Sequence, residues 1–251
     1  MDSKKDKTLI YGLPKSLKNA ETHYCPGCGH GIVHRLIAEV IDELGIRKKT
    51  IGIAPVGCAV LAYDYWDFDV SEAAHGRALA VATGMKRCLP DNFIFTYQGD
   101  GDLASIGLAE TVHAANRGEN VTCIFINNAC FGMTGGQMAP TTLKNQKTTT
   151  TPEGRDPKAG QGWPLDISSI LAGLEGVSFV ARSSVSNPAK INATRKHIKE
   201  AFQKQINKQG FSLLEVLSSC PTIWQKTPQQ AGKWVEEEMT KVFPLGVIKN
   251  K

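Results

Sequence analysis

The stretch "GDGDLASIGLAETVHAANRGENVTCIFINN", residues 99–128, decides how this chain is read. It opens just past "NFIFTYQ", an apolar run with the length and composition of a buried strand. Gly99, Asp100 and Gly101 put a carboxylate between two residues that let backbone come close to a bulky anion. The helix expected after them turns its free N–H groups toward the same place. No Gly-Lys-Ser/Thr follows, so this is not a Walker A loop, and the spacing is not that of a dinucleotide fingerprint. A carboxylate here suits a hard cation. Magnesium takes six oxygens, commonly one or two protein carboxylates plus phosphate and water. The next apolar run ends in Asn127 and Asn128. The Asn128 amide oxygen is the candidate second ligand, and a main-chain carbonyl just beyond it the third. Alone, "GDG" reads as a common turn. Paired with "NN" after the next strand, it reads as a metal–diphosphate site.

Outward from this stretch the pattern repeats. "GIVHRLIAEVIDELG" carries Ile32, Val33, Leu36, Ile37, Val40, Ile41 and Leu44 at helical spacing, with Gly45 as its stop. "TIGIAPVGC" begins as a strand and turns to loop by Pro55. A second helix is expected from Ala73 to Met85, and another over "LASIGLAETVHAANRG". "SFVARS" reads as a weak strand, "NPAKINATRKHIKEAFQKQINKQG" as a polar helix between Pro and Gly, and "FSLLEVLSSCP" as the last clear strand. Strands alternating with helices predict an α/β fold with a mostly parallel sheet and helices on both faces. Ligands gather beyond the carboxyl ends of such strands, where Cys58, Asp100, Asn127, Asn128 and Cys220 fall. The long stretch "GMTGGQMAPTTLKNQKTTTTPEGRD" has little to build a core with. It reads as a cover over that rim, a partner contact, or a disordered excursion. The expected division is a tail or partner-contacting segment at 1–23, a cofactor domain at 24–224, and a C-terminal extension at 225–251. Trp234, Met239, Val242 and Phe243 of that extension would pack on the domain or on a partner.

Composition narrows the functional classes. Among 251 residues, 41% are hydrophobic and 21% charged, ordinary for a globular chain with a sizeable core. The net charge of +5 comes from scattered lysines. No basic stripe interleaved with aromatics argues for nucleic acid. "MDSKKDK" reads as a solvated tail. The first residues hold no apolar core of signal-peptide type, and no run reaches a membrane span. The expected compartment is the cytoplasm, where the seven cysteines would stay reduced rather than form a disulfide framework.

"YCPGCGH", residues 24–30, sets Cys25 and Cys28 three apart. No clear strand precedes Tyr24, which argues against a thioredoxin-type dithiol. Zinc needs four close ligands. An iron–sulfur cluster takes four thiolates that distant loops can supply. Cys58 and Cys220, in loops after strands, are the best additional candidates. Cys123 falls within a strand and Cys88 at a helix end, both read as structural, whereas Cys130 lies beside the metal loop. The residues alone leave a cluster, a zinc site and free thiols open. His75 and Arg77 in "AAHGRA" are candidates to contact anionic cofactor or substrate, against a helix-start histidine and a surface arginine. Asp102 is a candidate cofactor contact or a helix cap.

The GDG–NN spacing resembles the signature of thiamine-diphosphate enzymes. The chain from Tyr24 to Trp224 resembles the beta subunit of 2-oxoacid:ferredoxin oxidoreductases. That likeness rests on "YCPGCGHG", "APVGCAV", "AAHGRALAVATGMK", "YQGDGDLASIG", "FINNACFGMTGGQMAPTT" and "EVLSSCPT". The resemblance implies that Asp100, the Asn128 side chain and the Cys130 carbonyl ligate Mg2+. Gly99 and Gly101 would line the diphosphate of thiamine diphosphate, and Gly132, Met133, Thr134 and Gly135 would wrap it, with Met133 alternatively plain packing. It implies one [4Fe-4S] cluster on Cys25, Cys28, Cys58 and Cys220, and an active-site role for His75 and Arg77. Relatives commonly carry Tyr where Cys130-Phe131 stands here. The implied activity is oxidative decarboxylation of a 2-oxoacid, of 2-oxoglutarate or branched type, with coenzyme A as acyl acceptor and ferredoxin as electron acceptor. The implied partners are an alpha subunit that completes the thiamine site, a gamma subunit and a ferredoxin-like delta subunit. A thiamine-dependent decarboxylase or carboligase without electron transfer is one rival; it would leave the four thiols without a task. A zinc-stabilised binding module is another, and it would leave the GDG–NN pair unexplained.

Overall fold

In the computed structural model, residues 11–251 are described; the lysine-rich "MDSKKDK" segment lies outside the described residues. In chain order the elements are α1 (His30–Leu44), β1 (Thr50–Pro55), α2 (Ala62–Tyr65), β2 (Asp69–Ala73), α3 (Ala78–Cys88), β3 (Phe93–Gly99), α4 (Leu108–Asn116), β4 (Thr122–Asn127), α5 (Ile167–Ala172), β5 (Val177–Ser184), α6 (Pro188–Ile206), β6 (Phe211–Leu217), α7 (Pro221–Trp224), α8 (Pro228–Trp234) and β7 (Gly246–Asn250). The seven strands form one sheet in the order β2-β1-β3-β4-β6-β5-β7. Its pairings are parallel except β7, which runs antiparallel on β5. This is the covered, mostly parallel sheet that the sequence predicts.

The central strands read as continuous apolar runs because both of their faces are covered. On β4, Ile124 and Ile126 enter one core while Cys123 and Phe125 enter the other. The first core takes Val33, Ile37 and Ile41 of α1 and Ile198 and Phe202 of α6. The second takes Leu79 and Ala82 of α3, Ala114 of α4, and Ile167 and Leu171 of α5. Helix α1 stops at Gly45, left-handed at φ 67°, whose N–H caps Asp42 O and Ile41 O. Asn187 caps α6 by accepting from Lys190 N.

Four readings change. Strand β2 was hidden in the sequence because it is an edge strand with a mostly half-exposed, polar pattern. The helix expected from Ala73 starts only at Ala78, after a turn at Gly76 (φ 78°). The helix expected from Leu103 is broken: a π-helical turn covers Asp102–Ile106, and α4 begins after Gly107. "SFVARS" is no weak strand but the middle of β5, buried along its whole length. Its polar residues misled the pattern because Arg182 finds carboxylates inside. The C-terminal segment buries Val235, Met239 and Phe243 against Ala129, Leu143 and Leu217. Val242 stays exposed, and Trp234 packs on Trp224 with ring centroids 4.4 Å apart. Among the described residues, no helix is long and apolar enough to cross a membrane.

From β1 the chain goes outward to β2, then returns across β1 to β3. The strand order therefore reverses between β1 and β3, and a crevice opens beyond their carboxyl ends.

Behind that crevice lies a cluster of aromatic and imidazole rings. His30 Nδ1 and Tyr97 Oη are 2.7 Å apart, and Tyr24 Oη and His34 Nε2 are 2.9 Å apart. His34 stacks on Trp66 with centroids 4.2 Å apart. Burial, and then the charges of His30 and His23, hold His34 well below the usual imidazole range. The unfolded chain thus binds a proton near pH 6.5 that the folded chain refuses. Stability from this group is complete above about pH 6.5 and is lost as pH falls from there toward the folded value. Urea unfolding at a series of pH values is expected to show a fall below about pH 6.5. That fall should be shallower in His34→Phe by about 1.4 kcal/mol per pH unit.

Candidate functional site

One pocket fills the crevice. Its wall includes Val56, Cys58 and His75 from the β1 and β2 ends, Gly99, Asp100, Gly101 and Asp102 from β3, and Asn128, Cys130, Phe131, Gly132, Met133 and Thr134 after β4. Gly101 is glycine because a Cβ there would come within 2.2–2.8 Å of the Phe131 ring.

Asp100 sits at the centre and is 2% exposed. Its Oδ1 accepts from Gly101 N at 2.8 Å. Its Oδ2 accepts from Thr141 Oγ1 at 2.6 Å and from Cys130 N at 3.1 Å. These are all neutral donors. Burial pushes the carboxyl up to about 7, and the hydrogen bonds only partly oppose it. On its open side stand two more oxygens. Asn128 Oδ1 lies 2.9 Å from Cys130 O and 3.1 Å from Asp100 Oδ1, and its amide would donate to both if its ends were exchanged. An octahedral Mg2+ with bonds of ~2.1 Å sets neighbouring oxygens about 3 Å apart. The donor set and its spacing fit that ion.

Sequence reading missed what holds this loop. Ala129, between Asn128 and Cys130, is left-handed at φ 55°. That conformation costs a non-glycine residue on the order of 1 kcal/mol or more. Its N–H donates to Asn127 Oδ1 at 3.0 Å, and its carbonyl accepts from Thr142 Oγ1 at 2.7 Å and Gln146 Nε2 at 3.1 Å. Asn127 Nδ2 in turn donates to Glu215 Oε1 at 2.7 Å. Glu215 Oε2 accepts from Ser168 Oγ at 2.5 Å and Arg182 Nε at 2.6 Å, and Arg182 also pairs with Asp166. The long threonine-rich segment is ordered over the rim by Arg155. That side chain is buried and donates to the carbonyls of Pro140 and Thr142 on one side and of Gln161, Gly162 and Trp163 on the other.

His75 and Arg77 part company. Both neighbours of His75 Nδ1 are acceptors, Asp102 Oδ1 at 2.8 Å and Val56 O at 3.0 Å. Nδ1 therefore carries a proton, and Nε2 is free for the pocket. Asp102 is fully engaged, accepting also from Gly76 N at 2.5 Å and Gln98 Nε2 at 2.6 Å. It orients His75 and ties the β2–α3 turn to β3; it does not cap α4. Arg77 is not in the pocket. Its guanidinium donates to Ile106 O at 3.3 Å, pairs with Glu110 on α4 and is half exposed. The turn at Gly76 sends it away from the crevice.

Two of the four candidate cluster thiols, Cys58 and Cys220, stand beside one pocket residue, Gly132. A Cβ built on Gly132 would lie 3.5 Å from Cys58 Sγ and 3.7 Å from Cys220 Sγ. Burial pushes the Cys28 thiol up to about 12, and negative charge on Cys220, Cys58 and Cys25 adds to the rise. Burial pushes Cys58 up to about 11, with Cys220, Cys25 and Asp100 acting the same way. Cys220 moves down because the Cys130 thiol bonds to it and the Asn128 amide does so as well; burial opposes this. Cys130 moves up by that same bond and by its burial. Cys123 is buried in β4 and Cys88 is exposed at the end of α3, both away from the pocket. Among the described residues, no three His, Cys, Asp or Glu side chains stand close enough together to hold a single metal ion.

Residues 56–216 match the family described as thiamine pyrophosphate enzyme, C-terminal TPP binding domain, the class that this sheet and its GDG turn at the switch point define. The ketoisovalerate oxidoreductase subunit VorA of Methanothermobacter thermautotrophicus is 50% identical over 224 residues, 89% of this chain and 47% of that protein. The 2-oxoglutarate synthase subunit KorB of Archaeoglobus fulgidus is 38% identical over 216 residues, 86% of this chain and 76% of that protein. A solved 2-oxoglutarate:ferredoxin oxidoreductase from Magnetococcus marinus, with 2-oxoglutarate, coenzyme A and succinyl-CoA bound, superposes with a TM-score of 0.78 at 25% identity. That match covers 98% of this chain and 87% of that one. The chain belongs to the thiamine-diphosphate-binding subunits of the 2-oxoacid:ferredoxin oxidoreductase family. It spans about half the length of its VorA relatives.

The Glu215 carboxylate holds both the buried Arg182 and the Asn127 turn. Glu215→Gln is expected to lower unfolding free energy by about 3 kcal/mol, since Asp166 remains to pair Arg182. Denaturant titration measures this; a loss under about 0.5 kcal/mol would show that the network does not bind the turn.

Proposed function

We propose that this chain is the cofactor-binding subunit of a 2-oxoacid:ferredoxin oxidoreductase, holding thiamine diphosphate through Mg2+ and one [4Fe-4S] cluster. The reading rests above all on one observation: three convergent oxygens share a crevice with Cys58, and Cys58 Sγ and Cys220 Sγ both lie close to its wall residue Gly132. Asp100, Asn128 and the Cys130 carbonyl would ligate Mg2+. Gly99, Gly101, Gly132 and Thr134 would approach the diphosphate with little or no side chain in the way. Cys25, Cys28, Cys58 and Cys220 would hold the cluster. A cluster takes thiolates that separate loops can supply, and these four come from the segments before α1, after β1 and after β6. When bound, thiamine diphosphate supplies an electron sink for decarboxylation, and the protein supplies position and electrostatics.

The chain's own residues then have separate tasks. His75, its Nδ1 proton fixed by Asp102, presents Nε2 to the pocket and can hold or pass a proton there. Phe131, Ile126, Val56 and Ala59 make an apolar wall that excludes water. Among the described residues, no Lys or Arg lines the pocket. A second substrate carboxylate would need such a partner, and an apolar branched side chain would not. We therefore read the substrate as a branched-chain 2-oxoacid, consistent with the name of the VorA relatives. Coenzyme A is the acyl acceptor and ferredoxin the electron acceptor in this reading. An alpha subunit would complete the thiamine site, with gamma and ferredoxin-like delta subunits in the complex, all in the cytoplasm. Division of the chain into residues 24–224 and flanking segments 1–23 and 225–251 belongs to the same proposal.

Anaerobic iron, sulfide and thiamine analysis of the assembled complex tests the cofactors. Cys58→Ser is expected to lose about four irons per complex while retaining thiamine diphosphate; zinc in place of iron and sulfide would overturn the cluster. Asp100→Asn is expected to weaken Mg2+-dependent thiamine diphosphate binding at least 100-fold by calorimetry. For substrate, kcat/KM for a branched 2-oxoacid should exceed that for 2-oxoglutarate at least tenfold, and the reverse order would reject the apolar-wall argument.

A further inference from the structure

The Asn128 amide faces two ways. On one side its oxygen meets two other oxygens, Cys130 O at 2.9 Å and Asp100 Oδ1 at 3.1 Å. No donor stands between them, so this setting is unfavourable unless a cation does. With its two ends exchanged, the same amide would donate to both oxygens and need no cation. The side chain thus has two settings that differ only by a half-turn about Cβ–Cγ.

On the other side lie the thiols. A Cβ built on Gly132 would meet Asn128 Nδ2 at 3.1 Å, Cys58 Sγ at 3.5 Å and Cys220 Sγ at 3.7 Å. The amide nitrogen and two sulfurs crowd one point, and the absence of a side chain at 132 keeps the space between them open. In this setting the nitrogen faces only donors, as protonated thiols are, so it can donate to Cys220 Sγ once that thiol has given up its proton to a cluster.

We propose that Asn128 couples the metal–diphosphate site to the cluster: with a divalent cation on its oxygen, its N–H donates to Cys220 Sγ, and without the cation the amide turns and that donation is lost. The inference rests on the reading of Cys220 as a cluster ligand. A hydrogen bond to a cysteinyl sulfur offsets negative charge and favours the reduced cluster. Cation binding at the diphosphate site therefore makes the neighbouring cluster a better electron acceptor. Linkage requires the reverse too: a reduced cluster binds the cation more tightly. Gly132 serves this contact, because a methyl group there would wedge between the amide and the sulfurs.

The test is an EPR-monitored redox titration of the anaerobic holoenzyme at saturating thiamine diphosphate, with Mg2+ present or removed by EDTA and metal content measured in each sample. In the wild type, removing Mg2+ is expected to lower the reduced-to-oxidised ratio of this cluster about tenfold at fixed potential, or about 59 mV for one electron. Asn128→Asp keeps an oxygen for the cation and has no N–H. Its Mg2+-dependent shift is expected to shrink at least threefold. Gly132→Ala is expected to reduce the shift as well while iron content is unchanged. An equal shift in wild type and Asn128→Asp would overturn the coupling, because the cation's charge would then act through space alone. No shift in wild type, with Mg2+ occupancy confirmed, would also overturn it. Absence of iron from the holoenzyme would remove the cluster reading and this inference with it, a different result from an intact cluster that ignores Mg2+.

Discussion

A carboxylate buried among neutral donors is the constraint around which this molecule is arranged. Asp100 follows a central strand and is almost wholly buried, and among the described residues no Lys or Arg lines its crevice to balance its charge. Burying such a charge unpaired is expensive, so the group drifts toward its neutral form or waits for a cation. The fold supplies three hydrogen bonds, from Gly101, Thr141 and Cys130, which orient the carboxylate without neutralising it. Thr141 belongs to the threonine-rich segment, so the cover over the rim is fastened to the same carboxylate that the crevice exposes. Arg155 makes that possible. It gathers carbonyls from both ends of a segment with few apolar side chains and replaces a core with a hub of charge-assisted bonds.

The central sheet was legible in the sequence because β3, β4 and β6 are long apolar runs followed by turn residues. Strand β2 was not, since an edge strand with one open side has no such run. Asp100 and Asn128 were legible because each follows a strand, and parallel neighbours deliver such residues to one rim. The thiols were legible only as candidates; nothing in "SSCPT" says that Cys220 meets Cys58. That Arg77 points away from His75 was not legible, because the turn at Gly76 that separates their directions leaves no pattern in the sequence. The polar residues inside the sheet were illegible for a different reason. Glu215 and Arg182 sit in buried strands that alone would read as interruptions, and each makes sense only against the other across 33 positions of sequence.

That buried pair also bears on how rigidly the site is held. A buried ion pair often contributes little net stability, because desolvation offsets attraction. Here it has a second consequence. Glu215 shares its oxygens between Arg182, Ser168 and Asn127, and Asn127 clamps the left-handed turn at Ala129. The strain at Ala129 is what allows a side chain at 128 and a carbonyl at 130 to face one point. The geometry is thus over-determined from behind, by the sheet, and from above, by Thr142 and Gln146.

The family match covers residues 56–216, and three of the four candidate cluster thiols lie outside it, Cys25 and Cys28 before and Cys220 after. A diphosphate-binding sheet can therefore stand without them, and the thiols read as additions at the two ends of a shared scaffold. Cys220 still comes close to Gly132 of the crevice wall, because β6 ends next to β4. Position on the sheet, rather than nearness in sequence, decides which residues can act together. Asn128 occupies the place where scaffold and additions touch. An amide offers an acceptor to a cation from one atom and a donor to a sulfur from another. An aspartate there would serve only the first, and an apolar residue neither.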